Sequence, residues 1–149
     1  MKRNKNTIII AVILVLGVIG YFSNNQKTEE KDKSEKGIKY SIYHQWAIPN
    51  EGYGKLIVID KKFRNREDLI ALINKIKSDT KSDRSAFIWV YDDEKAAAMF
   101  KNIDSLSETD LKYHDNHFLA DYTKNINTGY HQVSIMPEGS NGKIETIKF

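Results

Sequence analysis

Three consecutive acids, Asp92, Asp93 and Glu94, stand between an apolar run and an alanine run in the stretch AFIWVYDDEKAAAMF. Carboxylates at such a point can hold Mg²⁺ or Ca²⁺, or one of them can act as a general base. Asp60 ends another apolar run, KLIVID, so we expect it near Asp92 at the carboxyl ends of two parallel strands, where open sheets place ligands. Asp60, Asp92 and Asp93 are therefore candidate binding residues.

The same acids also have a local explanation. Asp92 or Asp93 can cap the following helix by accepting a backbone N–H bond, and Glu94 in the first turn complements the helix dipole. Asp60 can end its strand in an ordinary turn, and the spacing of the acids matches no calcium-loop motif. The sequence favours these local roles over a metal-binding or catalytic one.

A second group with metal-binding chemistry lies in YHDNHF, residues 113–118, which contains His114, Asp115 and His117. Imidazole and carboxylate groups together can bind zinc, and His131 on the next predicted strand, as a cross-strand neighbour of His117, could join them. The H-x-x-H spacing defines no third ligand, so solvated turn and strand histidines are favoured. We accordingly predict no resident metal and no cofactor.

Exposed aromatic side chains are the remaining candidates for binding. Tyr43 and Tyr53 are predicted to lie near the first turn, where aromatic rings can stack on sugars or anchor a partner protein, although sheet packing is the commoner role. The sequence carries neither a G-x-S-x-G nucleophile motif nor a phosphate-binding glycine loop. With no cysteine, disulfides and thiolate catalysis are excluded, so no catalytic residue is assigned.

The elements that position these residues can be read from hydrophobic periodicity. The alternation that begins at Ile38 predicts a half-buried strand. Its apolar face is predicted to carry Ile38, Tyr40, Ile42, His44, Trp46 and Ile48. Residues 55–60 and 86–91 are continuous apolar runs typical of buried strands, and an amphipathic helix capped by Asn65 lies between them. This order predicts a right-handed βαβ unit with parallel strands.

The later part of the chain predicts two short helices and three strands. The alanine run and residues 106–113 are predicted to be helical, the latter with Ser107 and Asp110 as a capping pair. Strands at 117–123, 130–136 and 143–149 alternate with turns rich in Asn and Gly, which predicts an antiparallel meander. We expect an α+β fold with a mixed sheet of about six strands, in the order β-β-α-β-α-β-β-β, and with its helices mostly on one face.

The N-terminus predicts membrane attachment through a transmembrane helix. Lys2, Arg3 and Lys5 precede residues 7–22, which carry no charge and would span about 24 Å as a helix in contact with membrane lipid. The positive-inside rule places the N-terminus in the cytoplasm and the rest outside. We therefore assign residues 1–22 to a single-pass signal anchor, with cleavage after Gly20 and secretion as the alternative.

Two further segments follow the anchor. Residues 23–37 contain no aliphatic or aromatic side chain, which predicts a disordered charged tether, and residues 38–149 are long enough to form one extracytoplasmic α+β domain. Basic and acidic residues are equal in number within that domain, so the net charge of +3 comes from the N-terminus. Without a basic stripe, a nucleic-acid partner is not expected.

These features together predict a membrane-anchored extracytoplasmic binding domain of bacterial type that catalyses no reaction. Its expected partner is an envelope protein or a cell-wall component. One alternative is a metal-assisted cell-surface hydrolase that uses the acids at Asp60, Asp92 and Asp93 or the histidines at 114, 117 and 131. Another is a structural subunit of an envelope assembly, in which the domain oligomerises.

Overall fold

The computed structural model describes residues 38–149. The predicted transmembrane segment, residues 1–22, and the predicted tether, residues 23–37, lie outside the described part of the chain and remain predictions. Between residues 38 and 149, none of the helices combines the length and the apolar character needed to cross a membrane.

The described chain folds into one mixed six-stranded sheet and three α-helices, which confirms the predicted α+β class. The strands are β1 (Tyr40–Ile48), β2 (Gly52–Ile59), β3 (Ser85–Tyr91), β4 (Phe118–Asn125), β5 (Tyr130–Ile135) and β6 (Glu145–Lys148). The helices are α1 (Arg66–Asp79), α2 (Glu94–Met99) and α3 (Glu108–His117), with short 3₁₀ helices at Lys61–Phe63 and Phe100–Ser105. The spatial order of the strands follows the chain, β1 to β6.

The parallel pair of strands arises from the βαβ unit that the sequence predicts. β2 and β3 are parallel neighbours joined through α1, whereas each of the other neighbouring pairs is antiparallel. Helix α1 begins where predicted, because the Asn65 side chain accepts a 3.0 Å hydrogen bond from the backbone N–H of Asp68. The carboxyl ends of β2 and β3 therefore meet at one edge of the sheet.

The helices cover both faces of the sheet, with α1 on the first face and two of the three, α2 and α3, on the second. On the first face, Leu69 and Leu72 of α1 pack against alternate residues of β2 and β3 such as Ile57 and Ile88. On the second face, α2 contributes Ala96 to a smaller core, and Tyr113 of α3 packs against it. Strands β2 and β3 carry apolar side chains on both sides, so helices or other elements must bury both faces of the sheet at these strands.

Strand β1 changes face partway along its length. Ile42 lies opposite Ile57, but His44 lies opposite Leu56, so Tyr43 is an extra residue in a β-bulge. Because one extra residue inverts the alternation of side chains, Ile42 packs in the first core while Trp46 packs on the second face. The predicted apolar face of β1 is therefore wrong beyond Ile42.

Candidate functional site

Two of the predicted acids at the strand ends are local caps. Asp93 accepts hydrogen bonds from the backbone N–H groups of Lys95 (2.9 Å) and Ala96 (3.2 Å) and caps α2. Asp60 accepts from the backbone N–H of Lys62 at 3.0 Å and caps the 3₁₀ helix that follows β2. That backbone bond, with the Lys62 ammonium 2.9 Å away, lowers the pKa of Asp60. The predicted local roles of Asp60 and Asp93 are confirmed.

Asp92 has a different role, because its side chain is fully buried and paired. One carboxylate oxygen accepts a hydrogen bond from Arg64 Nη1 at 3.2 Å, and the other lies 2.6 Å from His117 Nδ1. Arg64 also donates to the backbone carbonyls of Asn116 (2.6 Å) and Pro137 (2.5 Å). Of the two acids predicted as alternative caps, Asp93 takes that position, and Asp92 points inward to join three segments of the chain.

The Asp92–His117 pair resembles the carboxylate–imidazole arrangement that orients a catalytic base. Its surroundings indicate a structural role instead. Both Asp92 oxygens are occupied by groups of the protein, and no serine or threonine hydroxyl between residues 38 and 149 is hydrogen-bonded to His117. No three His, Asp or Glu side chains in that range lie close enough together to hold a metal ion.

The histidines of the predicted metal group have separate hydrogen-bond partners, with His114 and His117 in α3 and His131 in β5. His114 is buried, with Nε2 3.1 Å from the Tyr91 hydroxyl and Nδ1 3.1 Å from Asp115, so its predicted exposure to solvent is wrong. His131 lies on the first face, where its Nε2 is 2.9 Å from the Tyr122 hydroxyl, and burial lowers its pKa.

The predicted cross-strand contact between His117 and His131 is also wrong. Helix α3 continues through His117, so β4 begins one residue later than predicted, at Phe118. The residue opposite His131 in the β4–β5 pair is Lys124. His117 precedes Lys124 by seven residues, so the register of the β4–β5 pair separates the two histidines.

The two tyrosine candidates do not form one site. Tyr53 is 44% exposed and lies on the first-face side of β2, opposite Ala86. Tyr43 is half-buried in the β1 bulge and packs against the second-face core. The predicted exposure is confirmed for Tyr53 but not for Tyr43.

A further set of polar and aromatic side chains lies on the second face, where α2 and α3 leave part of β3, β4 and β5 uncovered. We call it the open face. Strand register places its side chains in two rows of three across neighbouring strands. The rows are Phe87, Thr123 and Gln132, and Trp89, Asp121 and Ser134. Each of the six is half-buried, so all of them reach solvent from an ordered sheet.

The aromatic part of the open face is held by stacking. The centroid of the Trp89 ring lies 5.5 Å from that of Trp46, at an interplanar angle of 20°, and 4.7 Å from that of Phe100. Trp46 itself lies over Gly54, where any Cβ would overlap the indole ring. A ring braced on two sides loses little conformational entropy when a ligand binds.

Asp121 is the one carboxylate of the open face. Its side chain accepts a hydrogen bond from the Thr123 hydroxyl at 3.1 Å, and no salt bridge to it is found within residues 38–149. Burial raises the pKa of Asp121 despite the Thr123 bond. A partly buried acid with one hydrogen bond and no ionic partner among residues 38–149 is a candidate functional group.

Sequence reasoning missed Asp121 because it forms part of no motif. The one available signal is its place in FLADYT, an acid in the middle of a predicted strand that contains buried positions. Recognising that signal requires the register of β3 against β4, which brings Trp89 opposite Asp121.

Comparison with protein-family models, with curated proteins and with solved structures gives no match.

Proposed function

We propose that this chain is a membrane-anchored extracytoplasmic binding domain that recognises an envelope component and catalyses no reaction. The observation that carries the proposal is the open face, where a braced tryptophan lies opposite a carboxylate that has no ionic partner among residues 38–149. By contrast, the acids and histidines with catalytic chemistry are engaged in caps and internal hydrogen bonds. Membrane attachment is supported by the uncharged run at residues 7–22 behind Lys2, Arg3 and Lys5.

The predicted alternative, a metal-assisted hydrolase, has weaker support. Its acids and histidines form separate pairs, and the part of the chain that the structure describes offers no cluster of three ligands. A divalent ion at 100 times its dissociation constant would add about 2.7 kcal/mol to stability. A Zn²⁺-dependent rise in melting temperature would therefore favour that alternative.

Membrane topology is tested by reporter fusions after Phe149. Alkaline phosphatase, which needs an oxidising compartment, is expected to be active, and a green fluorescent protein that folds only in the cytosol is expected to be dark. Deletion of residues 1–22 is the control and should reverse both signals. A fluorescent full-length fusion would contradict the proposed location, and phosphatase activity in the medium would indicate the cleaved form.

Ligand contact is tested by placing a photo-crosslinking amino acid on the full chain in cells. At position 132, in the open face, we expect a high-mass adduct after irradiation. Position 74, an exposed residue of α1, is the matched control, because α1 covers the first face, and should give none. Equal labelling at both positions, or none at position 132, would refute a binding role for the open face.

A further inference from the structure

The open face has the dimensions and composition of a small recognition platform. Neighbouring strands lie about 4.8 Å apart, and successive side chains on one face of a strand about 6.8 Å apart. Three strands and two rows therefore cover roughly 10 by 7 Å, which is the footprint of one or two sugar rings. The platform is rigid, because its side chains project from hydrogen-bonded strands rather than from loops.

Its chemistry favours a ligand that has an apolar face and is rich in hydrogen-bond donors. Thr123, Gln132 and Ser134 offer uncharged donors and acceptors, and Trp89 offers an apolar ring. Asp121 can accept two or more hydrogen bonds, of which Thr123 supplies one. Lys148 of β6 lies opposite Gln132 and is exposed at the margin of the open face.

A sugar ring that carries an acetamido group complements this arrangement. Its C–H face can stack on Trp89, its amide N–H can donate to Asp121, and its hydroxyls can bond to Ser134 or Gln132. The acetamido methyl adds apolar area beside the indole. A peptide could supply the same donors, but it would lack the flat apolar face that matches a single braced ring.

We propose that the open face binds an N-acetylated glycan strand of the cell wall, with Trp89 as the stacking ring and Asp121 as the hydrogen-bond acceptor. This inference rests on the binding role proposed above. Both groups act by contact with the ligand, and no covalent step is involved.

The test uses the full chain in nanodiscs of phosphatidylethanolamine and phosphatidylglycerol, which contain neither sugar nor quaternary ammonium. The probes are the β-1,4-linked tetramer of N-acetylglucosamine, cellotetraose, and tetramethylammonium, each titrated by calorimetry. We expect saturable binding of the N-acetylated tetramer and at least tenfold weaker binding of cellotetraose, which lacks the acetamido group. Tetramethylammonium tests the competing case of a cation held by Trp89 and Asp121.

Asp121→Asn is the central variant, since it keeps the shape of the side chain and removes its charge. Because a hydrogen bond to a charged group is stronger than a neutral one, D121N should weaken tetramer binding about tenfold or more. Ser134→Ala, a second open-face variant, should weaken it less. The matched control is Asp104→Asn, which removes an equally negative but exposed carboxylate from the 3₁₀ helix and should leave affinity unchanged.

Stability provides an independent readout for Asp121. Its folded pKa lies above the unfolded value, so the ionised group costs stability above the folded pKa, and this cost disappears as pH falls below the unfolded value. D121N should therefore melt no lower than the parent protein at pH 7, and its advantage should vanish in acid. A lower melting temperature at pH 7 would show that Asp121 supports the fold.

The outcomes distinguish this inference from the proposed function. Absence of tetramer binding, equal binding of cellotetraose, binding of tetramethylammonium alone, or full affinity in D121N would each overturn the N-acetylated glycan assignment. If an adduct then still forms at position 132 and is digested by protease, the binding role stands with a protein ligand. If no adduct forms either, both proposals fail.

Discussion

Replacing Asp92 by alanine is expected to destabilise the folded domain by about 3–5 kcal/mol, because it leaves the Arg64 and His117 side chains without their shared buried partner. For a domain of this size the melting temperature should fall by roughly 12–20 °C. Urea denaturation followed by circular dichroism measures the loss directly. Asp92→Asn is the milder variant if the alanine protein does not fold.

The control for this prediction is Asp104→Ala, which removes an exposed acid and should change stability by no more than about 0.5 kcal/mol. If D92A matched that control in stability, the Asp92–Arg64–His117 network would not be a structural element. An acid in a catalytic role would then become the better explanation, and the hydrolase alternative would gain support.

A side chain at Gly54 is the second change with a large expected effect. Gly54 is buried in β2, opposite Trp46 in β1, and a Cβ there would overlap the indole ring. Gly54→Val should therefore displace Trp46 and cost about 1–3 kcal/mol, as overpacking does in ordered interiors. Since Trp46 braces Trp89, tryptophan fluorescence and near-ultraviolet circular dichroism should change as well.

Two controls identify the cause of that loss. Ala47→Val adds bulk at an exposed position of the neighbouring strand and should be nearly neutral. In a Trp46→Ala background, Gly54→Val should cost much less than in the parent protein, because the overlapping ring is gone. Additive costs in the double variant would refute the contact between Gly54 and Trp46 as the reason.

The features that sequence reasoning predicted correctly are those set by neighbours in the chain. The caps at Asn65 and Asp93 depend on backbone groups two or three residues away, and the βαβ unit follows from two apolar runs around one amphipathic helix. Interactions between residues so close in the chain can be predicted from the local order of residue types. The same applies to the capping pair of Ser107 and Asp110, which begins α3 as predicted.

The features that were missed depend on pairings between distant segments. The bulge at Tyr43 has no local signature, yet it moves His44 and Trp46 to the other face. Asp92 meets partners 28 and 25 residues away, so its burial cannot be inferred from its neighbours. Asp121 becomes a candidate site only when β3 and β4 are aligned, because a register shift of one residue would move it to the other face.

Two carboxylates have separate roles: Asp92 stabilises the fold, and Asp121 is proposed to contact the ligand. One comparison tests it most directly: the melting temperature and the affinity for the N-acetylglucosamine tetramer, measured for D92N and D121N below both melting transitions. We predict that D92N melts lower and binds like the parent protein, whereas D121N melts no lower and binds at least tenfold more weakly. The reverse pattern, with binding lost in D92N and kept in D121N, would contradict the account.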